Sequence, residues 1–350
     1  MISASKPAED LNSLAGPCRL ALVRAALILL SGLWLFCLGH FSSVAPGAEQ
    51  VRIAGKEYTR LSDWARSCDL TLRWLKRDES LELNGSARIQ LQIHSPEAQF
   101  NGVEVRLLFP LVQKGEVVWI SQSDVQSTFA PLLSPPRVKR GVVLKSICLD
   151  PGHGGKDPGF QVGPNQEKAL TLLLSQELQA QLQRAGWKVS VTRSRDTFID
   201  LPERPAVARR RRADLFVSLH FNATAGSAGS VKGAEVYCLT PPGAPSTNAG
   251  GEIVGSGWFP GNRFNDENMV LGYQLQKTLA QRVPVEDRGV HRARFAVLRD
   301  AATPAVLVEA GFLSNPVEGR KICSPAYRRQ LAAAIVDGLE AYKRIVQRGS

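Results

Sequence analysis

Short apolar runs and longer apolar stripes alternate along the second half of the chain. The runs have the length of buried strands, and they lie at 146–149, 189–192, 215–219, 235–239 and 305–308. The clearest stripe predicts a helix over 167–185 that stops at Gly186, and it repeats leucine at 170, 173, 174, 178 and 182. Further helices are predicted from Pro202, over 269–281 and from Ser324. The alternation predicts an α/β fold with a mostly parallel, twisted sheet and helices on both faces.

Residues 50–130 have a different pattern, with short strands and one helix that begins near Ser62. A weak internal repeat relates 119–125 to 58–64, which indicates two copies of a hairpin-plus-helix unit. This part resembles the small α+β domain first described at the N-terminus of copper amine oxidases. Its sequence contains no metal cluster or nucleophile arrangement, so we interpret it as a small α+β domain that binds a ligand or acts as a spacer.

Two stretches mark the predicted boundaries. Residues 1–48 have the layout of an export signal. The uncharged apolar block 25–39 follows Arg24 and precedes a segment of small and polar residues. The block is short for a spanning helix, so cleavage at the membrane and retention as an anchor both remain open. Residues 131–142, rich in proline and basic residues, are the predicted linker, and 143–347 form the predicted catalytic domain. We expect an exported protein of the periplasm or cell envelope, released or held in the inner membrane.

Charge and cysteine content narrow the function classes. The formal net charge is +11, which would suit a polyanionic partner, but much of it is local, as in Arg209–Arg212. We interpret that cluster as a solvated helix face and expect no nucleic-acid partner, because no nucleic-acid motif accompanies it. The six cysteines include no C-x-x-C pair, so the sequence predicts no thiolate zinc site and permits disulfides without requiring them. Cys148 lies inside a predicted strand, where we expect it to pack as a small apolar residue.

Four polar residues stand where strands meet loops or where a helix begins: His153, Glu167, His220 and Glu309. Two imidazoles and one carboxylate suit Zn²⁺ and leave a fourth position for the water of a catalytic site. Zinc lowers the pKa of that water to about 7, and the other carboxylate is then free to move its proton. Each residue also has a structural explanation: a turn, a helix start, a core histidine or an ion pair with arginine. Their common position at one sheet edge favours one zinc site.

Three runs carry a resemblance to a known family: 149–155 (LDPGHGG), 218–223 (SLHFNA) and 304–315 (PAVLVEAGFLSN). Together with 201–204, 232–237 and 288–290, they resemble the zinc-dependent N-acetylmuramoyl-L-alanine amidases of the bacterial type-3 family. The resemblance covers about residues 145–346. It implies that His153, Glu167 and His220 hold one zinc ion and that Glu309 is the catalytic carboxylate.

The resemblance also implies the reaction and the partner. The family cuts the amide that joins the lactyl group of N-acetylmuramic acid to L-alanine of the peptidoglycan stem peptide, in cell-wall turnover or daughter-cell separation. We expect Asn222, Arg263, Asn265 and Arg294 to contact that substrate, and we leave the need for an envelope activator protein open. In regulated relatives a helix inserted near 241–265 blocks the zinc. Here that segment is rich in Gly and Pro, so we predict no self-inhibition of this kind.

Two other functions fit parts of this sequence. A cell-wall-binding protein with an inactive amidase fold would lack a ligand or the base, yet all four residues are present. A zinc endopeptidase or deacetylase of the envelope uses the same chemistry, and the four residues alone do not exclude it. The whole set of motifs favours the amidase.

Overall fold

The computed structural model describes residues 48–224, 229–247 and 257–347. Almost all of the predicted export signal or anchor, 1–48, therefore lies outside the described residues. Within the described ranges, no helix combines the length and the apolar character that crossing a bilayer requires. All the described residues fall in one compact unit.

The first described region consists of short strands and a few helical turns. Its strands are β1 Gln50–Ile53, β2 Lys56–Arg60, β3 Thr71–Lys76, β4 Ser80–Asn84, β5 Arg88–Gln92, β6 Glu97–Phe100, β7 Val103–Arg106, β8 Val112–Lys114 and β9 Val117–Ser121. Its helices are α1 Leu61–Ser67, α2 Gln122–Asp124 and α3 Ala130–Leu133, with a π-helical turn at Val125–Phe129. Strands β1, β2, β9 and β8 form an antiparallel sheet in that order. The repeat seen in the sequence is visible here, because β2 leads into α1 as β9 leads into α2.

The second region alternates strands and helices, as its hydrophobic pattern predicts. Its strands are β10 Ser146–Pro151, β11 Gln161–Val162, β12 Asn165–Gln166, β13 Lys188–Val191, β14 Leu215–Asn222, β15 Ala234–Leu239, β16 Asp287–Ala293 and β17 Ala305–Phe312. Its helices are α4 Glu167–Arg184, α5 Glu203–Arg210, α6 Asn265–Arg282, α7 Ala296–Arg299, α8 Pro316–Cys323 and α9 Pro325–Gln347, with a 3-10 turn at Pro260–Phe264.

One large twisted sheet crosses both regions. Its order is β13-β10-β14-β17-β15-β16, followed by β7-β6-β5-β4-β3. From β13 to β16 the neighbouring strands are parallel except for the antiparallel pair of β15 and β17, which confirms the predicted mostly parallel sheet. The sheet does not stop at β16, because Val290 of that strand pairs in parallel with Val105 of β7. The small α+β region thus extends the sheet that carries the site.

Helices cover both faces of the parallel part of the sheet, because its strands carry apolar side chains on both faces. Strand β10 is an example. Ile147 and Leu149 point to one face, where helices α4, α6 and α9 pack, and Cys148 points to the other. Cys148 is fully buried beside Ala208 of α5 and Phe216. Its predicted role as a small apolar core residue is confirmed, and burial raises the pKa of its thiol to about 12. The four cysteines of the described ranges are unpaired thiols, and Cys18 and Cys37 lie outside those ranges.

The predicted linker packs against the end of the chain. Its first residues, 131–133, belong to α3. The Arg137 side chain donates a 2.6 Å hydrogen bond to the Ile345 carbonyl, and the Val138 amide donates to the Val346 carbonyl at 3.0 Å. The boundaries at 48, 130 and 142 stay predictions.

Candidate metal centre and active site

The loop after β10 places His153 at the carboxyl edge of the sheet. His153 has a left-handed backbone (φ 62°), and its Nδ1 lies 2.9 Å from Oδ2 of Asp157. The preceding Gly152 lies directly against the His220 ring, where an added Cβ would come within 2.2 Å of a ring carbon. Only glycine at 152 lets the loop and the second histidine approach this closely.

Glu167 is the first residue of α4, and the chain buries its carboxylate at the edge of the sheet. Its Oε1 accepts from the Phe221 amide at 3.2 Å, and its Oε2 accepts from the Phe160 amide at 3.0 Å. The same Oε1 lies 3.1 Å from His153 Nε2 and 3.1 Å from His220 Nδ1. Burial raises the pKa of this carboxyl, but the hydrogen bonds and charges of the two histidines outweigh burial and hold its pKa well below the usual range.

His220 and Glu309 face each other across two neighbouring strands. They form a register pair of the parallel strands β14 and β17, so their side chains project from the same face. The sequence pattern placed both residues just after strand ends, and this expectation is wrong. Both strands continue, to Asn222 and Phe312, because the pairing resumes beyond an irregularity between His220 and Asn222. The two residues nevertheless reach the predicted edge.

The donor set of His153, Glu167 and His220 fits a zinc ion. One ligand atom from each residue lies within 4.8 Å of the other two, and the two imidazole rings cross nearly perpendicularly with centroids 4.9 Å apart. Ligands in a tetrahedral zinc site are separated by about 3.3 Å, close to the two nitrogen–oxygen distances of 3.1 Å. Asp157 accepts from the other nitrogen of His153, as carboxylates do behind histidines that bind zinc. The three residues that the sequence predicted as metal ligands are thus together.

Glu309 lies beside this cluster with one oxygen unpaired. Its Oε2 is buried and has no hydrogen-bond partner among the described residues. Burial, followed by the negative charges of Glu167 and Glu235, raises the pKa of this carboxyl well above its usual range. A carboxylate in this state readily accepts a proton from a water or substrate at Oε2.

Two buried arginines fix the backbone of the His153 loop. Arg204 donates to the carbonyls of Pro151 and His153 at 3.0 and 2.9 Å and pairs with Asp150 at 2.9 Å. Arg193 donates to the carbonyls of Pro151 and Gly152 at 3.0 and 2.8 Å. The loop carbonyls therefore have charged donors that hold the histidine in place.

The match to a known family covers this whole arrangement. Residues 147–341, more than half of the chain, match the family model for N-acetylmuramoyl-L-alanine amidases. This chain belongs to that amidase family.

Among curated amidases, the chain is 38% identical over 218 residues to N-acetylmuramoyl-L-alanine amidase AmiC of Neisseria meningitidis, covering 56% of this chain and 52% of that protein. It is 30% identical over 233 residues to AmiA of Escherichia coli, covering 60% of this chain and 80% of that protein. The chain thus spans about half the length of the Neisseria protein. A solved amidase structure from Clostridium difficile has 32% identity and a TM-score of 0.49, covering 57% of this chain and 97% of that chain.

The four residues predicted to bind substrate have different surroundings. Asn222 donates from Nδ2 to the Glu235 carboxylate at 3.0 Å. Glu235 itself lies opposite Glu309 on the neighbouring strand. The Arg294 guanidinium donates to the carbonyls of 241 and 244, and Asn265 accepts from Asn262 at 3.1 Å. Arg263 is exposed in the 3-10 turn. Their contact with substrate stays a prediction. Residues 248–256, the middle of segment 241–265, lie outside the described ranges, so the absence of a blocking helix in this segment stays a prediction.

Several residues that support the site could not be identified from the sequence. Asp157 follows His153 by four residues in the same glycine-rich loop, and that spacing was its only signal. Glu235 is 3% exposed and interrupts the apolar run 234–239, which marks a carboxylate that needs partners. Its partners are Tyr237 at 2.6 Å, Arg288 at 2.5 Å and Asn222.

Proposed function

We propose that this chain is a zinc-dependent peptidoglycan hydrolase. It cleaves the amide between the lactyl group of N-acetylmuramic acid and L-alanine of the stem peptide. The observation that carries the proposal is the convergence of His153, Glu167 and His220 beside the unpaired carboxylate oxygen of Glu309, in a chain of this family.

Each residue of the site has a defined part in the reaction. His153, Glu167 and His220 hold the zinc ion, and Asp157 keeps the His153 ring oriented through Nδ1. When bound, zinc would supply a Lewis acid that lowers the pKa of the attacking water and polarises the scissile carbonyl. Glu309 takes the proton of the attacking water at Oε2 and returns it to the leaving amine of L-alanine.

The expected location follows from the substrate. Peptidoglycan lies outside the cytoplasmic membrane, and the leader-like pattern of 1–48 supports export to the periplasm or cell envelope. We place the enzyme in cell-wall turnover or daughter-cell separation, and we leave the need for an envelope activator protein open.

Mass spectrometry of digested peptidoglycan tests the proposal. Purified peptidoglycan is incubated with the chain from residue 48 onward, with and without a zinc chelator. We expect stem peptides with a free N-terminal L-alanine and intact glycan, and we expect them only without chelator.

The other outcomes separate the competing functions. Cleavage inside the peptide would make the chain an endopeptidase, and release of acetate would make it a deacetylase. Unchanged substrate from folded, zinc-loaded protein would favour a wall-binding role, unless extract from the cell envelope restores cleavage and so reveals an activator.

A further inference from the structure

Six cations gather at the edge of the sheet that lies opposite the site. They form what we call the basic edge: Lys145, Lys188, Arg209, Arg210, Arg211 and Arg212. Lys145 precedes β10, Lys188 begins β13, and the four arginines end α5 and lead into β14. All six side chains belong to exposed residues. The sequence alone had shown only the arginine run, because the lysines are distant along the chain.

Backbone hydrogen bonds show that the three segments are neighbours. The Lys188 amide donates to the Lys145 carbonyl at 2.8 Å. The carboxylate of Asp214 accepts from the amides of Lys145 and Ser146, each at 2.8 Å, and the Ser146 hydroxyl donates to the Arg212 carbonyl at 3.3 Å. The three segments that carry the six exposed cations therefore lie side by side at this edge of the sheet.

Few negative charges offset this surface. Two carboxylates of the three segments lie near the basic edge, and Glu340 of α9 accepts from the Trp187 indole next to Lys188. Asp214 is occupied by backbone donors, and Glu203 pairs with Arg210. The remaining cations face solvent and would attract an anionic surface.

Two exposed valines adjoin the cations. Val142 and Val143 are 44% and 46% exposed and lie three and two residues before Lys145. Exposed aliphatic side chains next to a basic surface fit a partner that has both anionic headgroups and an apolar interior. A hydrated anionic polymer would offer charges but no apolar interior for the two valines.

The position of the basic edge sets the orientation of the enzyme. Strands β10 and β14 run from the basic edge to the histidine site, and six strand residues span roughly 20 Å. A surface held at the basic edge would leave the site facing away from it. A polymer bound for cleavage would instead lie at the opposite edge.

We propose that the basic edge, with Val142 and Val143, binds the anionic phospholipids of a bilayer and turns the site toward the wall. Four of the six cations are arginines, whose planar guanidinium pairs with phosphate through two hydrogen bonds. Each cation near an anionic leaflet strengthens binding about fivefold at low salt. The apolar block 25–39, which lies outside the described residues, would bring the chain to the same membrane.

Co-sedimentation with vesicles tests this binding. The full chain is mixed with phosphatidylcholine vesicles with or without phosphatidylglycerol, and the ratio of the two partition coefficients is measured. The ratio removes the contribution of the apolar N-terminal block, which binds both vesicles. We expect Arg209→Gln, Arg210→Gln, Arg211→Gln and Arg212→Gln together to lower this ratio at least about tenfold. Added salt should lower the wild-type ratio as well.

A charge-matched variant provides the control. Arg52→Gln, Arg66→Gln, Lys76→Gln and Arg77→Gln together remove the same charge from exposed positions of the first region. We expect this control to change the ratio by less than about threefold, since its cations lie away from the basic edge. An equal effect of the two quadruple variants would overturn the proposal, because net charge alone would then explain binding.

Two further measurements complete the test. Val142→Ser with Val143→Ser should weaken binding to anionic vesicles and leave pelleting with purified peptidoglycan unchanged. Lys145→Gln with Lys188→Gln serves as a second charge variant if the arginine variant does not fold.

The proposal is wrong if the charge variants lose peptidoglycan pelleting while they retain vesicle binding. Vesicle binding does not require hydrolysis, so this result is independent of the proposed amidase activity.

Discussion

In the proposed mechanism, proton transfer and metal binding use different side chains, so one substitution should remove the first and leave the second. Glu309→Gln keeps the size of the side chain and removes only its ability to accept a proton. We expect the variant to retain zinc and its fold, and to hydrolyse peptidoglycan about 10²- to 10⁴-fold more slowly. Metal content and the rate of peptide release measure the two properties.

His220→Ala is the complementary variant. Because it removes one of the three nitrogen and oxygen ligands, we expect it to lose both metal and activity. Wild-type hydrolysis by Glu309→Gln would show that the role given to Glu309 is wrong.

In the proposed zinc site, Asp157 acts through His153, because its carboxylate lies against Nδ1 of that ring. Asp157→Ala removes the acceptor 2.9 Å from His153 Nδ1, so we expect zinc affinity to fall about 10- to 100-fold while the fold persists. Competition with a zinc chelator measures the affinity. Asp200→Ala, an exposed position in the neighbouring loop, is the control and should leave the affinity unchanged. Equal zinc affinity in the two variants would show that Asp157 does not support zinc binding.

The order of strands and helices could be predicted from the hydrophobic pattern, but the ends of the site strands could not. Helix α4 begins at Glu167, as the leucine stripe indicated. Strands β14 and β17 instead run past His220 and Glu309, because each polar residue is accommodated between two strands that continue to pair. The hydrophobic pattern along one strand carries no information about how the neighbouring strands pair with it. For the same reason the support from Asp157, Arg193 and Glu235 was missed.

The buried pair of Arg204 and Asp150 ties helix α5 to strand β10. Arg204 is 2% exposed, and Arg204→Met leaves the Asp150 carboxylate buried without its cation. We expect the free energy of unfolding of the metal-free protein to fall by about 3 kcal/mol, measured by urea denaturation. Zinc affinity should fall too, because the His153 carbonyl loses its donor.

Arg210→Met on the same helix is the matched control. Arg210 pairs with Glu203 at the surface, and we expect its loss to change stability by less than about 0.5 kcal/mol. If the two variants lost the same stability, the buried pair would not be what holds α5 to β10.

The two predicted domains share more than a linker. Val105 of β7 pairs with Val290 of β16, the Tyr273 hydroxyl donates to the Phe100 carbonyl at 3.0 Å, and Arg292 donates to the Ser127 carbonyl at 2.6 Å. The contact between Glu104 and Asp287 joins residues that are 183 positions apart. Local pattern does not reveal pairing over that distance, so the sequence suggested two independent parts.

This shared sheet predicts that the described residues unfold together. Calorimetry of metal-free protein should give one transition whose van't Hoff and calorimetric enthalpies agree. Leu83→Ala removes fully buried volume from the first region and should cost about 2–5 kcal/mol. It should lower the melting temperature of the whole protein, as Leu178→Ala should from the core of the second region. Two transitions, of which Leu83→Ala moves only one, would show instead that the two regions unfold independently and that the pairing of β7 with β16 does not couple them.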